Sequence, residues 1–490
     1  MIQQLIIGIF IGILIVSDPF LVANLQSKTL LGVGVPFEIS IITLISFVTG
    51  GILLFLIQQT KKADVRRAFI ILTVIGLQTD ALSPLPIALG DLVIGVYFSI
   101  FIVICMVKKS ELKITIIDIL NLSFLLFIML AISSGYITSS LAAVKFIKLM
   151  MLSFLIVNLC TDREGLIFLI KWLIIITTIS AFIGILQEAV YVFTGFPVVG
   201  FIDAKNMKHM KEITDFGPAL KVPGFTGSYI VIAFLLSTNI IITLNILLYI
   251  PLTALKKISL WVILLIMSVG LYLTFSRVTL MALGVIVPLV IIGRLQKYLL
   301  HISALFLLLL VVVSITINFK PIIHVTDIYR KVQDAVLQER SWGELRIRLQ
   351  LNREGLYGFI NRHPLVGIGA GKSNRYCSHF YGWGAHNALI RVAGDLGIIG
   401  LIVYLCIILY SLGRIIVINI KVRDPMDIGV ARGLLFAFSL YLILLQFDSV
   451  YQGVYLWFLI GVIAAMDSIL LRTTSKVKNS FVGWRKLDVL

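Results

Sequence analysis

The sequence predicts an all-α polytopic membrane protein: a bundle of about 12–14 transmembrane helices with a large extracytoplasmic loop that contains an amphipathic helix. Of the 490 residues, 59% are hydrophobic and only 13% are charged, which lies outside the usual balance of a soluble domain. Apolar runs of the roughly 20 residues that cross a bilayer recur along the whole chain. Lys and Arg concentrate in alternate loops between these runs, which is typical of membrane topology.

Hydropathy places about fourteen spans along the chain, of which the third is short and the seventh is long. The first contains LIIGIFIGILIVS and is followed at once by further spans without a small-residue cleavage motif, so we interpret it as a helix and not as a signal peptide. The approximate spans are residues 2–17, 34–58, 67–79, 88–107, 114–133, 141–160, 165–194, 228–250, 258–274, 278–293, 298–318, 385–411, 430–447 and 451–471.

The orientation follows from the loops between the spans. If the N-terminus is cytoplasmic, the basic loops KKADVRR, KKSELK, PLTALKK and GRLQKY and the basic C-terminal tail all fall on the cytoplasmic side. The short loops of the other side, such as TDALSPLP and SGYITSS, contain no Lys or Arg. The formal net charge of +17 is therefore explained by topology, and we do not expect a nucleic-acid partner.

This topology divides the chain into six segments and puts two long loops outside. We interpret QDAVLQERSWGELRIRLQLNREGLYGFINRH in the second loop as an amphipathic helix on the membrane surface or against the bundle. Its apolar residues near helical spacing are Val336, Trp342, Leu345, Leu349, Leu356 and Phe359. The segments are helices 1–196, outer loop 197–227, helices 228–318, outer loop 319–384, helices 385–471 and a basic cytoplasmic tail 472–490.

The stretch VGIGAGKS, residues 366–373, resembles an ATP-binding phosphate loop but does not satisfy its pattern. G-x-x-x-x-G-K-[ST] requires glycine where the chain has Val366, and no strand precedes the stretch. The predicted topology also puts it outside, where ATP is not available. These observations argue against an ATPase.

Three polar clusters fall on the predicted outer face. The first is LKVPGFTGSY with Lys221, the second is the tight turn TFSRVT with Ser276 and Arg277, and the third is the pair His386 and Asn387 at the head of a span. Arg277 lies on the side whose short loops otherwise lack cations, so topology does not require it there. A guanidinium binds phosphate or pyrophosphate bidentately, although a boundary arginine also snorkels to lipid headgroups.

Each of the other polar residues of this face can be interpreted as structural or as functional. Lys145 and Lys148 share a helical face near an outer helix end, where they either snorkel or contact an anion. His386 is a candidate general base, since histidine titrates near neutrality, or a structural residue. Asp395 lies two and a half turns from His386 and forms no triad with it.

The second outer loop also contains candidate metal ligands and a run of glycines. His363, Cys377 and His379 lack the usual spacing of metal ligands, so we expect no metal. The glycines at 367, 369, 371, 382 and 384 permit either close backbone approach to a ligand or a flexible loop.

The sequence resembles the O-antigen ligase and polymerase superfamily of bacterial surface-polysaccharide assembly. The resemblance rests on RHPLVGIGAG followed by AHNALIRVAGDLGIIGLIVYL, on the Ser-Arg turn of TFSR, and on LKVPGFTGSY, in an order and sidedness similar to the family's. It covers about residues 221–401 and implies a site for a polyprenyl pyrophosphate. Arg277 and Lys221 would bind the pyrophosphate, with Lys221 standing where many members carry Arg. His386 would activate or orient the acceptor hydroxyl, and the adjacent Asn387 would bind substrate. Arg346 or Arg348 resembles a further family arginine and would also bind substrate.

The resemblance further implies a glycosyltransferase of the cytoplasmic (inner) membrane that needs no metal or other cofactor. Its expected partners are a polyprenyl-pyrophosphate-linked oligosaccharide donor, a glycan or lipid acceptor, membrane lipids, and as candidates a flippase and a chain-length regulator. We favour a polymerase of repeat units over a ligase that transfers the finished glycan, because the chain has many spans and a long outer loop. A transporter or flippase of lipid-linked glycans would instead show paired repeats, interrupted helices and ionisable residues near the midplane. No repeat is visible, and Asp118, Asn121 and Lys171 are the few such residues.

Overall fold

The structure is a computed structural model, and the residues that it describes include Lys221, Arg277, His386 and Asn387. The predicted spans at 2–17, 34–58, 88–107 and 298–318 lie outside the described residues. The described residues are 65–78, 113–132, 137–194, 211–214, 217–226, 228–295, 350–359, 361, 364–369, 371, 385–447 and 453–485.

The described chain is helical apart from one short hairpin, so the predicted helical fold class is confirmed. The helices in chain order are α1 (Val65–Gly76), α2 (Ile116–Ile132), α3 (Ile137–Leu159), α4 (Arg163–Thr194), α5 (Tyr229–Tyr249), α6 (Ala254–Tyr272), α7 (Arg277–Leu295), α8 (Ala388–Lys421), α9 (Pro425–Leu444) and α10 (Val454–Arg485). The strands are β1 (Lys211–Thr214) and β2 (Gly217–Leu220).

Five of the described helices, α4, α5, α6, α8 and α9, are long and apolar enough to cross a membrane by length and composition. The long seventh predicted span proves to be one continuous helix of 32 residues, α4. Helices α2, α3, α7 and α10 each contain a shorter apolar stretch. The chain is therefore a multi-pass membrane protein.

Helices α5 and α9 form an antiparallel pair in the centre of the bundle. Phe234 lies opposite Tyr441, with ring centroids 5.7 Å apart, and Ile242 lies opposite Gly433. A Cβ atom on Gly433 would be 3.1 Å from the Ile242 Cα, so the small residue allows the two backbones to approach closely. We call the end at which α5 begins and α9 ends the site end, and the opposite one the far end.

Helices α2, α3, α8 and α10 surround an aromatic cluster. The Phe124 ring is 5.2 Å from Phe146, 5.9 Å from Tyr404 and 6.1 Å from Trp457, measured between centroids, and all four side chains are fully buried. Such pairs stabilise a core beyond the area that they bury. The cluster fixes the side of α8 that faces the bundle.

Ion pairs and one cation–π contact hold the helices together at the far end. Arg163, at the start of α4, pairs with Asp424 and donates from Nε to Asp427 Oδ1 at 2.7 Å. The Arg432 guanidinium stacks 4.3 Å above the centroid of the Tyr249 ring and donates to its hydroxyl. The turn between α8 and α9 is thereby fixed to α4, and α9 to the end of α5.

A bidentate ion pair joins α8 to α10 inside the bundle. Arg414 donates from Nε to Asp467 Oδ2 at 2.9 Å and from Nη2 to Asp467 Oδ1. The side chains are only 26% and 15% exposed. A charge in an apolar surrounding is costly unless it is paired, so each residue depends on the other.

Replacing Asp467 by Asn is expected to lower the free energy of unfolding by about 3 kcal/mol, because it leaves the Arg414 charge without its counter-charge. The double variant Arg414→Met, Asp467→Leu should recover most of that loss. Thermal unfolding of the protein in detergent measures both. The matched control is Glu164→Gln, which breaks the exposed 3.7 Å pair with Arg67 and should change stability by less than about 1 kcal/mol. Equal effects of the two carboxylate substitutions would contradict the assignment.

The first predicted outer loop, 197–227, contains the only strands among the described residues. β1 and β2 pair antiparallel, with Lys211 opposite Leu220 and Thr214 opposite Gly217. The Leu220 backbone N–H donates to Glu188 Oε2 of α4 at 2.8 Å, so the hairpin is tied to the helix before it. Lys221 directly follows the second strand of this hairpin.

Candidate functional site

The segment after the hairpin, Lys221 to Thr226, is held by polar side chains of α4. Gln187 pairs with both backbone groups of Gly224: it accepts from the N–H at 3.1 Å and donates to the carbonyl at 3.3 Å. The Phe225 N–H donates to Ser180 Oγ at 3.2 Å. Gly224 has φ +54°, and a Cβ atom there would be 2.2 Å from Ile232 Cδ1. The glycine of VPGF is therefore required by backbone geometry.

Lys221 lies at the beginning of this fixed segment. Its side chain is half-buried, and Nζ is 5.1 Å from the centroid of the Tyr229 ring at the start of α5. A cation over the face of a tyrosine ring is attracted to it at this distance. The Tyr229 ring therefore helps to hold the Lys221 ammonium group in place at the site end.

The predicted tight turn with Arg277 is confirmed. Helix α6 ends at Tyr272 and α7 begins at Arg277, and Phe275 between them has φ +51°. Thr274 Oγ1 donates to the Leu271 carbonyl at 2.6 Å, and the Ser276 and Thr279 hydroxyls are 2.8 Å apart. Small hydroxyl residues thus close the turn, and the Arg277 side chain is exposed.

The Lys221 segment and the Arg277 turn are in direct contact. The Val222 N–H donates to the carbonyl of Leu273, the C-cap residue of α6, at 3.2 Å. Lys221 is the neighbour of Val222, and Arg277 follows Leu273 by four residues. The structure thus brings the first two predicted clusters together.

The third cluster begins α8, and Asn387 is its N-cap. Asn387 Oδ1 accepts from the backbone N–H of Leu389 at 2.9 Å and of Ile390 at 3.2 Å. Its Nδ2 donates to Gln446 Oε1 at 3.2 Å, and the Ala388 N–H donates to the Leu445 carbonyl at 2.8 Å. Asn387 is only 2% exposed, so its amide serves to fix the start of α8 to the end of α9. His386 is half-buried immediately before it.

Asn387→Ala is expected to lower the free energy of unfolding by about 2 kcal/mol, because the variant loses a helix cap and leaves the Gln446 amide without this bond. Ser228→Ala is the matched control: Ser228 is the N-cap of α5, and its side chain makes no capping hydrogen bond within the described residues. Thermal unfolding should show a clear decrease for the first variant and almost none for the second. A similar decrease in both would contradict the role of Asn387.

The described part of the predicted amphipathic helix packs on the start of α8. Residues 350–359 are helical, with Leu351, Leu356 and Phe359 buried and Tyr357 exposed. The buried face forms a small apolar cluster with Ala385, Ile390 and Ala393. Of the two predicted locations, this part of the helix takes the one against the bundle.

Helix α8 is interrupted at Gly397, where φ is +72° and ψ is −174°. The hydrogen bonds that a continuous helix would form from Ile398 to Gly394 and from Ile399 to Asp395 are replaced by bonds to the HPLVGIG stretch. Ile398 and Ile399 donate to Pro364 and Leu365 at 2.8 and 3.5 Å. Ile368 and Gly369 donate to Gly394 and Asp395 at 3.0 and 2.9 Å. The two sequence motifs therefore form one backbone interlock, residues 364–369 with 394–399.

The glycines of the interlock are explained by close backbone contact. A Cβ atom on Gly367 would be 2.4 Å from the Asp395 carbonyl, and one on Gly397 would be 2.0 Å from the Leu365 carbonyl. Gly367 and Gly369 have φ of +69° and +106°. In the structure, the positive φ angles of Gly367 and Gly369 serve close packing against α8, a role that neither sequence-based interpretation included.

The first part of α8 turns sharply away from the axis of the second. Ala388 is bonded to Leu445 and Asn419 to Ala431, anchor points 14 residues or about 21 Å apart on α9. If α8 were straight, its 31 residues between the same anchors would span about 46 Å. The predicted span 385–411 thus includes the break at Gly397. Residues 398–421 after the break form about 36 Å of helix, which is long enough to cross a bilayer, and residues 388–396 belong to the site end.

All three predicted clusters lie at the site end. In the α5 and α9 pair, Tyr229 is five residues before Phe234 and Gln446 is five after Tyr441, so both lie about 7.5 Å beyond that ring contact. Lys221 contacts Tyr229, and Asn387 contacts Gln446. The turn with Arg277 is bonded to the Lys221 segment. The common location of Lys221, Arg277 and His386 is therefore set by direct contacts.

The electrostatics of the site end favour an anion. Helices α5, α7 and α8 all begin there, and helix N-termini carry partial positive charge. Lys221 and Arg277 add full charges, and the sequence contains no Asp or Glu between Asp215 and Asp327. Asp395 is fully buried below this surface. The site end is thus suited to bind a phosphate or pyrophosphate.

The other predicted site residues have different outcomes. Lys148 is half-buried in α3, near Phe146, whose ring is 6.1 Å from Trp457 close to the start of α10. The helix position of Lys145 is described but its side chain is not. Arg346 and Arg348 lie outside the described residues, as do His363, Cys377 and His379, whose spacing argued against a metal site.

Several residues of the site end were not predicted from the sequence. Ser180, Gln187 and Glu188 of α4 fix the loop that carries Lys221, and Gln446 fixes Asn387. Arg391, one turn after Asn387, adds another half-buried cation. Polar residues inside the otherwise apolar α4 were the one signal in the sequence. The partner of each is distant in sequence, so the contacts themselves were not predictable.

A comparison with known families supports the resemblance found in the sequence. A family model described as O-Antigen ligase matches residues 262–405. The match includes Arg277, His386, Asn387 and both sides of the backbone interlock, whereas Lys221 precedes it. No curated protein matches the chain. The match covers less than a third of the chain, and together with the apolar helices it supports a multi-pass membrane protein that is similar to O-antigen ligases over these residues.

Proposed function

We propose, from the premise that residues 262–405 carry an O-antigen ligase domain, that this membrane enzyme is a glycosyltransferase that polymerises oligosaccharide repeat units linked to a polyprenyl pyrophosphate. The product would be a surface polysaccharide. The reaction would take place at the outer face of the cytoplasmic membrane, with both termini of the chain in the cytoplasm. The orientation is supported by the distribution of Lys and Arg between the loops.

The observation that carries the proposal is the meeting of Lys221, Arg277 and the start of α8 at one end of the bundle. Val222 bonds to Leu273, which brings the two cations to adjoining backbone segments. A pyrophosphate ester is an anionic leaving group, and it needs cations held in place before the reaction. Arg277 is exposed, and a guanidinium is the side-chain group whose geometry suits a bidentate contact with a phosphate.

The proposed reaction is a direct displacement. The acceptor hydroxyl oxygen attacks the anomeric carbon of the donor sugar, and the bond from that carbon to the pyrophosphate oxygen breaks. The leaving oxygen takes the bonding electron pair, and Arg277 and Lys221 stabilise its negative charge. The hydroxyl proton passes to His386. Direct displacement inverts the anomeric configuration.

The remaining predicted residues are given supporting roles. Asn387 acts as a positioning residue through its bonds to α8 and Gln446, because its amide is already engaged there. Lys148, and with it Lys145, would contact the anionic donor near the start of α10. Arg346 or Arg348 would add a further cation from the second loop. We expect the reaction to need no metal or other cofactor, so a metal chelator should leave the rate of glycan transfer unchanged.

A ligase that transfers the finished glycan to a lipid or protein acceptor is the nearest alternative, and the same site chemistry serves both. The two differ in the acceptor. A polymerase uses a second lipid-linked repeat unit, and its products form a ladder of increasing length. Flippase and chain-length regulator partners belong to the same proposal and would act before and during polymerisation.

A transporter of lipid-linked glycans is the second alternative, and the interrupted helix α8 is the observation in its favour. Asn419, which bonds to Ala431, marks the far end of α8. The break at Gly397 lies 22 residues, or about 33 Å of helix, from Asn419, and this distance equals the thickness of a bilayer core. Its freed backbone groups bond to residues 364–369 of the same chain. The break therefore supports the site end and not a binding site at the midplane.

The decisive experiment incubates the purified protein with polyprenyl-pyrophosphate-linked repeat units and follows chain length on gels. A ladder is expected for the native protein, and His386→Ala should reduce its rate by about 10²–10⁴-fold with unchanged thermal unfolding. An unchanged rate in this variant would refute the role of His386. Movement of the donor across vesicles without any transfer would refute the enzyme. Transfer only to an added lipid or protein acceptor would identify the ligase.

A further inference from the structure

A cavity at the far end of the bundle combines basic and aromatic side chains. It has a volume of about 460 Å³ and lies between the end of α5 and the start of α6. Its lining includes Tyr249, Ile250, Pro251, Lys257 and Trp261. The three polar clusters of the site end are at the opposite end of α5, so this cavity is separate from the proposed reaction.

Positive charge comes from Lys257 in the cavity wall and from Arg432, which contacts the wall residue Tyr249. Lys257 and Trp261 are four residues apart in α6 and so lie on one face of that helix. From α9, the Arg432 guanidinium is held against the Tyr249 ring at 4.3 Å and donates to its hydroxyl. Helix α6 begins at Ala254 beside the cavity, which adds the partial positive charge of a helix N-terminus.

Acidic residues near the cavity are few and already engaged. The sequence has no Asp or Glu from residue 216 to residue 326, a range that includes all of α5, α6 and α7. The acidic residues at the start of α9, Asp424 and Asp427, both pair with Arg163. The local charge around Lys257 is therefore positive, and an anion would be complementary to it.

The outer face of α6 next to the cavity is apolar and exposed. Ile258, Trp261, Val262 and Leu265 are between 50% and 64% exposed. In a membrane-spanning helix, such a face contacts lipid acyl chains, and Trp is typical of the boundary with the headgroups. A cavity with basic groups between helix ends at that boundary is a typical binding site for an anionic headgroup.

We propose that the cavity lined by Tyr249, Lys257 and Trp261, with Arg432 stacked on the Tyr249 ring, binds the phosphate-bearing headgroup of an anionic phospholipid. The headgroup phosphate contacts Lys257, and the acyl chains lie along the exposed face of α6. The volume accommodates a phosphoglycerol group, whereas one water occupies about 30 Å³. The ligand class is thus a lipid that has both a negative headgroup and hydrocarbon chains.

The test compares two adjacent lysines. Purified protein is titrated with dioleoylphosphatidylglycerol or dioleoylphosphatidylcholine in detergent, and bound lipid is counted by native mass spectrometry. Lys257→Gln should weaken phosphatidylglycerol binding about fivefold, which corresponds to about 1 kcal/mol for one lysine at a lipid phosphate. Lys256→Gln is the matched control, since Lys256 is also exposed but does not line the cavity.

Each outcome supports or overturns the proposal. Preference for phosphatidylglycerol that is lost in Lys257→Gln and kept in Lys256→Gln supports it. Equal effects of the two variants, or equal binding of phosphatidylcholine, overturns it. Inorganic phosphate in large excess should not displace the lipid. Displacement by phosphate would overturn the lipid proposal and identify the cavity as a site for free phosphate. Thermal unfolding without lipid should be the same in all three proteins, because both lysines are exposed.

Discussion

Gly397→Ala is expected to lower the free energy of unfolding by about 3 kcal/mol or more and to abolish transfer at ordinary temperature. With φ at +72° and ψ at −174°, Gly397 occupies a conformation that is essentially restricted to glycine. The added Cβ would also be 2.0 Å from the Leu365 carbonyl oxygen, which is backbone and cannot rotate away. Relief of that clash would separate residues 364–369 from α8. The start of α8, with His386 and Asn387, would then lose part of its support.

Gly413→Ala is the matched control in the same helix. A Cβ atom on Gly413 meets no described atom within 4 Å, and the residue is exposed. This substitution should be neutral or stabilise the protein slightly, because alanine favours a helix over glycine by about 1 kcal/mol. Thermal unfolding in detergent and the yield of folded protein on size exclusion measure both variants. Similar stability of the two would contradict the interlock between the HPLVGIG stretch and α8.

Arg277→Ala is expected to reduce the rate of glycan transfer by about 10²–10³-fold while leaving thermal unfolding unchanged. The side chain is exposed, and hydrogen bonds of Thr274, Ser276 and Thr279 close the turn that carries it. Its removal therefore affects the ligand more than the fold. Arg277→Lys keeps the charge and loses the bidentate fork, so it should recover only part of the rate. Measured donor turnover by the purified variants tests this order.

Arg423→Ala is the control for a general loss of positive charge. Arg423 is an exposed arginine in the short turn between α8 and α9 at the far end, away from the three clusters. Its replacement should leave the transfer rate within about twofold of the native value, as expected of a surface substitution. A rate that falls equally in both variants would refute a specific role of Arg277. Full recovery by lysine would refute the bidentate contact.

The backbone interlock gives a physical reason for the order of the motifs along the chain. Residues 364–369 supply donors and acceptors to the positions in α8 that lose their helical partners at Gly397. Buried backbone groups without partners are costly, particularly in an apolar surrounding. The break is thus possible only with the preceding stretch in place. The resulting turn in α8 keeps residues 385–396 at the site end instead of inside the bilayer.

Much of the fold was predictable because it depends on local composition. Helices α4, α5, α6 and α9 lie close to the predicted spans, since an apolar run of sufficient length forms a helix wherever it meets lipid. The turn at Arg277 was predictable for the same reason, because the predicted spans 258–274 and 278–293 leave only three residues between them. The polar clusters were identified as unusual because they are polar residues at the boundaries of apolar segments.

The site was predicted only as a set of separate clusters. The bonds that join them, from Val222 to Leu273 and from Asn387 to Gln446, connect residues about 50 and 60 positions apart. Hydropathy has no information on such contacts. It also averaged across Gly397 and returned one span, 385–411, although the helix changes direction there. Asn387 was expected to bind substrate, and its burial and its hydrogen bonds to α8 and to Gln446 assign it to positioning.

The sequence by itself determined the membrane class, the helical fold, the tight Ser-Arg turn and the types of residue that could hold an anionic glycan donor. These properties follow from hydrophobic burial and side-chain chemistry, which each residue carries wherever it lies. The tertiary structure decided which of these residues meet, where α8 breaks, and which glycines are needed for backbone contact. These properties depend on hydrogen bonds and close packing between distant segments, and only a folded chain brings those segments together.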